Sequence, residues 1–351
     1  MIAGQKRYAP GQKMHCGDRS LRGDRSEAKK RKLRSGGSIL DQLLHYRVQV
    51  FVMDFQSEIE KIRKEADSLV LSALPDASRY PGMLAEAVNY SIETGGKRVR
   101  PVLMLLSFRM FGGSNAIVDP FAAAIEMIHT HSLIHDDLPA IDNDDIRRGH
   151  ATVHARYGEA MGVLAGDALL NYAYETAFRA FDYSVKNYSG VVTALRILAR
   201  KTGLDGMLGG QGLDVENEKN GKLQVDRTVL DYINRHKTSA LIEAPLMIGA
   251  ALAGADKGEV SCMEEIGRRI GEAFQIRDDI LDVVGDEAQL GKKAGVDARN
   301  QKTTYVTILG TEEAAARVEK LTDEAVRLLD TLPGDKELLK AYLESLVGRE
   351  S

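Results

Sequence analysis

Cysteine is scarce in this chain of 351 residues, which holds only Cys16 and Cys262. Two thiols cannot build a disulfide framework, and their scarcity fits a reducing cytosol, so a cytoplasmic protein is expected. Long apolar runs are missing as well. No stretch reaches the roughly 18 uninterrupted apolar residues of a membrane span, and the longest candidate, Ala240–Ala253, is broken by Glu243 and Pro245. There is no alternating strand pattern of useful length, no internal repeat, and no convincing Ser/His/Asp or Cys/His set for nucleophilic catalysis. Net charge is small, −4, but uneven: residues 1–40 carry eleven Lys and Arg against three Asp and Glu, leaving −12 for the rest. That acidic bulk makes no case for nucleic acid as a partner.

What is present is helical periodicity. Residues 1–38 are basic, rich in Gly and Ser, and without apolar rhythm, which reads as disorder. They also lack the apolar segment of a secretory signal. We expect residues 1–48 to be a disordered, functionally silent extension and 49–351 to form one domain, its first well-patterned helix opening around Met53. There Phe51, Phe55, Ile59, Ile62, Ala66 and Leu69 repeat at three- and four-residue spacing, one buried helix face. Further helices are expected over 84–93, 102–111 (opened by Pro101), 117–135, 159–181, 191–201, 228–253, 261–284, 311–332 and 336–347. The expected fold is all-α: a single-domain bundle of about ten helices around a deep central cavity.

One stretch concentrates charge: His135-Asp136-Asp137-Leu138-Pro139-Ala140-Ile141-Asp142-Asn143-Asp144-Asp145-Ile146-Arg147-Arg148-Gly149. Five carboxylates repel unless a cation holds them, and Arg147 and Arg148 suit an anion that the same cation would bridge. A solvated charged loop is the plain alternative. Ile125, Ile128, Ser132 and Asp136 share one helix face, with His129 two turns before Asp136. Asp142, six residues on, requires a break at Pro139 to return to that face. A second cluster, Asp278-Asp279-Ile280-Leu281-Asp282, continues the apolar face of Ile266, Ile270 and Phe274. Its spacing lets all three carboxylates face a common point. Buried charge is costly, so a purely structural helix seldom runs its apolar stripe into carboxylates. Hard oxygen donors with few His or Cys nearby select Mg²⁺ over zinc, and two carboxylate sets across a cavity suit a diphosphate.

Cations recur. Gly95-Gly96-Lys97-Arg98-Val99-Arg100-Pro101 is not a P-loop, because the required upstream Gly and the Ser or Thr after Lys97 are absent. Its glycines would let backbone approach an anion that Lys97 and Arg100 neutralise; a helix C-cap followed by solvated cations is the alternative. His236-Lys237-Thr238 and Lys292-Lys293 complete the set.

Gly-Gly-Lys-Arg-x-Arg-Pro, Asp-Asp-x4-Asp followed by Arg-Arg-Gly, a Gly-rich Gln-x-x-Asp segment, Lys-Thr, and Phe-Gln-x-x-Asp-Asp-x-x-Asp occur here in order. In this the chain resembles the trans-isoprenyl diphosphate synthases, or polyprenyl synthetases, and among them the bacterial farnesyl diphosphate synthases, from about Phe55 to Val347. The resemblance implies a prenyltransferase that condenses isopentenyl diphosphate head to tail with dimethylallyl and geranyl diphosphates, giving (2E,6E)-farnesyl diphosphate and pyrophosphate. It implies two or three Mg²⁺ ions held by Asp136, Asp137, Asp142, Asp278, Asp279 and Asp282. Lys97, Arg100, His129 and Arg148 would hold isopentenyl diphosphate. Arg147, Lys237 and Lys292 would hold the allylic diphosphate, with Thr238 and Gln275 near the developing carbocation. His131, where farnesyl-makers carry an aromatic, and the small Ser132 would set chain length; a C20 geranylgeranyl product is the alternative. A homodimer is likewise implied. Ala151 and Val306 stand where the family has Pro, and Arg277 where a neutral residue is common. A terpene cyclase is disfavoured by the second Asp-rich motif, a head-to-head synthase by Gly95–Pro101, and a non-catalytic regulatory subunit by the two complete carboxylate sets.

Overall fold

The computed structural model describes residues 39–183, 188–220, 226–284 and 303–348, with 39–54, 219 and 220 as backbone alone. Of the extension expected to be disordered, residues 1–38 lie outside the described residues, whereas 39–48 are helical, part of a helix that begins at Ile39 rather than around Met53. The chain divides into two units, Met1–Asp54 and Phe55–Ser351, and the described core belongs to the second.

The fold is all-α. Its α-helices of seven residues or more, among the described residues, are α1 (Ile39–Ser72), α2 (Leu84–Glu93), α3 (Val99–Met110), α4 (Asp119–Asp136), α5 (Glu159–Phe178), α6 (Tyr188–Thr202), α7 (Met207–Asn220), α8 (Arg227–Ile233), α9 (Ala240–Ala253), α10 (Lys257–Val284), α11 (Thr311–Asp330) and α12 (Glu337–Val347). Among the described residues the one sheet is a hairpin of two-residue strands, β1 (Ile146–Arg147) and β2 (His150–Ala151). Strands this short leave no alternation to read.

α9 is the axis. It is apolar on nearly every side, which suits only a fully enclosed helix, and Ala240 through Leu252 are all buried. α3, α6 and α10 pack around it. Gly249 allows the α3 contact, since a Cβ there would sit 2.5 Å from the Met104 carbonyl oxygen. α4 lies chiefly against α5, and α10 against α11. On α1 the expected face is observed from Phe55 onward: Ile62 and Ala66 are buried, while Phe55, Ile59 and Leu69 pack at its margin; the Phe51 side chain lies outside the described residues.

Two departures bear on function. α7 has no place among the expected helices, because Gly209, Gly210 and Gly212 fall inside it, each costing roughly 1 kcal/mol of helix propensity. The single helix expected over 228–253 is interrupted by a π-helical turn, Asn234–Ser239, between α8 and α9. Such turns occur often at functional sites, and this one carries Lys237 and Thr238.

Candidate active site

α4 runs its apolar stripe to its very end. Ile125 and Ile128 are fully buried, and further along Ser132 and Asp136 line a cavity. The helix stops at Asp136; Pro139 lacks the N–H to continue it and biases Leu138 away from helical geometry. The chain doubles back instead. Asp142 N–H donates to the Asp136 carbonyl at 2.9 Å, and Asn143, at φ 57°, donates to the Leu138 carbonyl at 3.1 Å. Burial pushes the Asp136 carboxyl up to about 6; Lys237 opposes this, and the charge of Asp142 reinforces it.

The hairpin follows. Arg148 and Gly149 form its turn with φ of 53° and 79°, the positive pair of a primed turn that matches strand twist. Arg147 on β1 holds Asp137: Nε donates to its carboxylate at 2.8 and 3.0 Å, and Nη2 lies 2.7 Å from Oδ1. Asp137 is buried, and burial raises its carboxyl above the ordinary carboxylate range, with Arg147 opposing. Arg148 donates to the Gly95 carbonyl and presses on Gly96, where a Cβ would lie 2.7 Å from Nη1. The hairpin turn thus meets the Gly-Gly turn ahead of α3.

Within Lys97-Arg98-Val99-Arg100 the cations separate. Arg98, at φ 50°, is 2% exposed and points inward. It donates to Asp67 at 2.8 Å, Glu126 at 3.2 Å and the Ile92 carbonyl at 2.9 Å. Lys97 is exposed. Arg100 faces the cavity, and its buried Nε has no hydrogen-bond partner among the described residues. Burial drags its guanidinium down to about 10, with Glu126 opposing and Arg148 adding to the shift. His129 is held neutral, well below its ordinary value, by burial and then by Arg100 and Arg148. A guanidinium on the wall of a largely desolvated cavity is stabilised when an anion arrives.

The π turn forms the opposite wall. Lys237 Nζ donates to Asp214 Oδ2 at 2.5 Å. Thr238 donates to Gln275 Oε1 at 3.0 Å, and Gln275 Nε2 donates to Asp279 Oδ1 at 3.0 Å. Asp279 Oδ2 accepts the Tyr305 N–H at 3.0 Å, while Tyr305 Oη donates to Asp231 at 2.6 Å. Asp279 and Asp282 are buried, and Asp278 is half-buried.

Between these walls lies a cavity of about 250 Å³. Arg100, His129, Asp136, Gln211, Lys237 and Thr238 give it polar lining; Leu133, Ile141, Met207 and Leu241 give it apolar lining. His131 and Ser132 also line it. Ser132 Oγ donates to the His129 carbonyl at 2.8 Å. His131 is 2% exposed, with Nδ1 3.0 Å from the Gly166 carbonyl and its ring edge-on to His135 at 4.7 Å. A carbonyl only accepts, so Nδ1 carries the proton. Burial holds this imidazole neutral by pulling it down to about 4.

The cavity therefore joins Arg100, His129, His131, Ser132, Asp136, Lys237 and Thr238, with Gln275 one hydrogen bond behind Thr238. Lys97 is not among its lining residues, and Lys292 lies outside the described residues. No three His, Cys, Asp or Glu side chains among the described residues converge as a ready-made metal cluster. Mg²⁺ does not require one, since it takes one or two carboxylates and completes its shell with water and phosphate oxygens. A buried carboxylate raised by burial, with the charge of Asp142 reinforcing the shift, fits that ion. Asp279 differs from the expectation of a common point, because both its oxygens are engaged with Gln275 and Tyr305.

The Gln-x-x-Asp segment carries no stated role in the sequence, and Tyr305 carries no signal at all. Gln211 donates to Asp136 Oδ1 at 2.7 Å, Asp214 holds Lys237, and Tyr305 holds Asp279. Gln211 and Asp214 sit three apart, so they share a helix face; that spacing was the available signal.

The polyprenyl synthetase family model matches residues 81–343. A farnesyl diphosphate synthase of Geobacillus stearothermophilus is 40% identical over 302 residues, 86% of this chain and 99% of that protein. The large subunit 1 of a chloroplastic heterodimeric geranylgeranyl pyrophosphate synthase of Arabidopsis thaliana is 42% identical over 283 residues, 81% of this chain and 76% of that protein. Among solved structures, a Helicobacter pylori geranyltransferase complexed with magnesium and isoprenyl diphosphate superposes with a TM-score of 0.70 at 33% identity. That match covers 83% of this chain and 96% of that one. With motifs, fold and cavity in agreement, the chain belongs to the polyprenyl synthetase family of prenyltransferases.

Proposed function

We propose that this prenyltransferase is a Mg²⁺-dependent farnesyl diphosphate synthase, adding isopentenyl diphosphate head to tail to dimethylallyl and then geranyl diphosphate. The observation that carries this reading is one cavity lined by Asp136, Arg100, Lys237 and His131. Asp136 and Asp142, assisted by Asp137, would hold Mg²⁺ from one side, and Asp278 and Asp282 from α10, with Asp279 tied instead to Gln275 and Tyr305. Bound there, the ion supplies positive charge to the departing pyrophosphate. Arg147, Lys237 and Lys292 hold the allylic diphosphate; Lys97, Arg100, His129 and Arg148 hold isopentenyl diphosphate. These cations act most strongly as the C–O bond ionises and negative charge gathers on the leaving group. Thr238 and Gln275 present oxygen atoms near the allylic cation, and Leu133, Ile141 and Leu241 exclude the water that would quench it. Alkylation of the double bond follows, and pyrophosphate takes the proton lost.

A C20 product is the second reading, favoured by geranylgeranyl synthases among the relatives at 42–43% identity. The bulk of His131 beneath Asp136 supports C15. We also propose a cytoplasmic homodimer; Val163, Leu164 and Phe178, exposed on α5, suit a second copy. Incubating the purified protein with Mg²⁺, dimethylallyl diphosphate and isopentenyl diphosphate and separating the products by chromatography tests the reading. Farnesyl diphosphate is expected, and a mainly C20 product overturns it.

A further inference from the structure

His131 and His135 both line the cavity, and both meet α5 at a single residue, Gly166. The Gly166 carbonyl accepts His131 Nδ1–H at 3.0 Å. Its missing side chain makes room for the other ring: a Cβ there would lie 2.1 Å from His135 Nε2 and 2.3 Å from its Cδ2. Three contacts keep the His135 ring in that notch. Its Nε2 donates to the Val163 carbonyl at 3.2 Å, Asp167 Oδ1 lies 3.8 Å from the same nitrogen, and the His131 ring packs edge-on at 4.7 Å. Gly166 lies inside α5, without the positive φ that requires glycine. Glycine there weakens the helix, and what it permits is close approach. α5 supplies none of the cavity's lining residues. His135 therefore stands between that helix and the prenyl space.

A side-chain tip changes rotamer more readily than a packed helix shifts, so a Cβ at Gly166 displaces the ring and leaves α5 in place. We propose that Gly166 is a positioning residue for product length, holding His135 clear of the growing prenyl chain. This rests on the prenyl-synthase reading above and adds a control on length from α5. An imidazole ring and an isoprene unit each hold about five heavy atoms, and a close-packed interior registers a volume of that size. With the ring displaced into the cavity it borders, geranyl diphosphate no longer fits as a starter and leaves as the product. With the imidazole removed, the cavity extends to Gly166 and takes one further unit. Gly166 touches no reacting atom; it acts through His135.

The test uses the full-length protein with Mg²⁺, isopentenyl diphosphate and either dimethylallyl or geranyl diphosphate as starter, with products separated by chromatography. In Gly166→Ala, kcat/KM for geranyl relative to dimethylallyl diphosphate is expected to fall at least about tenfold, with geranyl diphosphate the main product. A merely structural role would slow both starters together and leave that ratio unchanged. His135→Ala is expected to add a product one isoprene unit longer. In the His135→Ala background, Gly166→Ala is expected to move the starter ratio by less than about twofold, because the two changes share one contact. An unchanged ratio in Gly166→Ala, or an equal fall in both backgrounds, overturns the proposal. Should Gly166→Ala fail to fold, His135→Ala decides alone, and absence of the longer product overturns it. If the natural protein extends neither starter, the prenyl-synthase reading falls and takes this proposal with it, whereas an unchanged ratio leaves that reading standing.

Discussion

The side-chain amide of Gln211 donates to Asp136 Oδ1 at 2.7 Å, reaching from α7 to the last residue of α4. One turn on, Asp214 receives Lys237 Nζ at 2.5 Å. A single face of α7 thus fixes both a proposed metal-binding carboxylate and a proposed diphosphate-binding cation. Hydrogen bonds to charged groups contribute about 1.5–3 kcal/mol. Gln211→Leu should therefore lower kcat/KM for geranyl diphosphate roughly 10- to 100-fold, as read by pyrophosphate release. Gln211→Glu should fall further, because it sets a like charge beside Asp136. An unchanged kcat/KM in Gln211→Leu would remove Gln211 from any positioning role.

Neighbouring cations should behave oppositely. Arg98 and Glu126 are both nearly inaccessible, at 2% and 1% exposure, and removing one partner of such a pair costs about 3–5 kcal/mol. Arg98→Met should lose that much stability in urea unfolding, and adding Glu126→Gln should recover part of it. Lys97→Met, at an exposed site, should change stability by less than about 0.5 kcal/mol while raising KM for isopentenyl diphosphate. Equal stability losses in the two variants would contradict the burial assignment.

His131 sets an acid-side stability limit. Its folded value, about 4, lies below the ordinary 6.5, so protonation favours the unfolded chain. The stability it contributes is complete above about pH 6.5 and is lost as pH falls towards 4. Over that window the effect is on the order of 3 kcal/mol. Between pH 7.5 and pH 4.5 the natural protein should lose stability relative to His131→Phe. A difference independent of pH would mean that His131 protonates in place.

The same residue is the proposed floor of the prenyl pocket. His131→Ala enlarges the cavity between Asp136 and α5, so products longer than C15 should appear on chromatography. An unchanged product spectrum would place the floor elsewhere.

How much of this was legible depended on whether a signal was local. α4 and α10 announced themselves because Ile125, Ile128, Ile266 and Ile270 repeat with helical period, and the acids fall at the ends of those stripes. Pro139 foretold the return of Asp142. α7 stayed hidden because its glycines lower helix propensity and its reward is tertiary, namely contact with the π turn. The engagement of Asp279 by Tyr305 joins residues 26 apart in sequence, and no spacing rule reaches that far. Arg98 has no role in the sequence reading, because nothing in Lys-Arg-x-Arg marks a buried cation; the structure turns it inward to Asp67 and Glu126.

That hidden helix yields the sharpest contrast. A Cβ on Gly210 would lie 2.2 Å from Lys237 N and 2.8 Å from His236 C. Backbone atoms cannot swing aside as a side-chain tip can, so α7 must move. Gln211 is the next residue and Asp214 one turn further, and the movement would separate them from Asp136 and Lys237. Overpacking of this kind costs about 1–3 kcal/mol, partly offset by roughly 1 kcal/mol of helix propensity gained from alanine. Gly210→Ala should therefore lose activity out of proportion to stability, with kcat/KM falling at least tenfold. Gly212, two residues along the same helix, has nothing within 4 Å of where its Cβ would be. Gly212→Ala should keep full activity and gain up to about 1 kcal/mol in urea unfolding. Pyrophosphate release and unfolding measured on both variants separate close approach from helix propensity. Full activity in Gly210→Ala would show that Lys237 and Asp136 are held in place without α7.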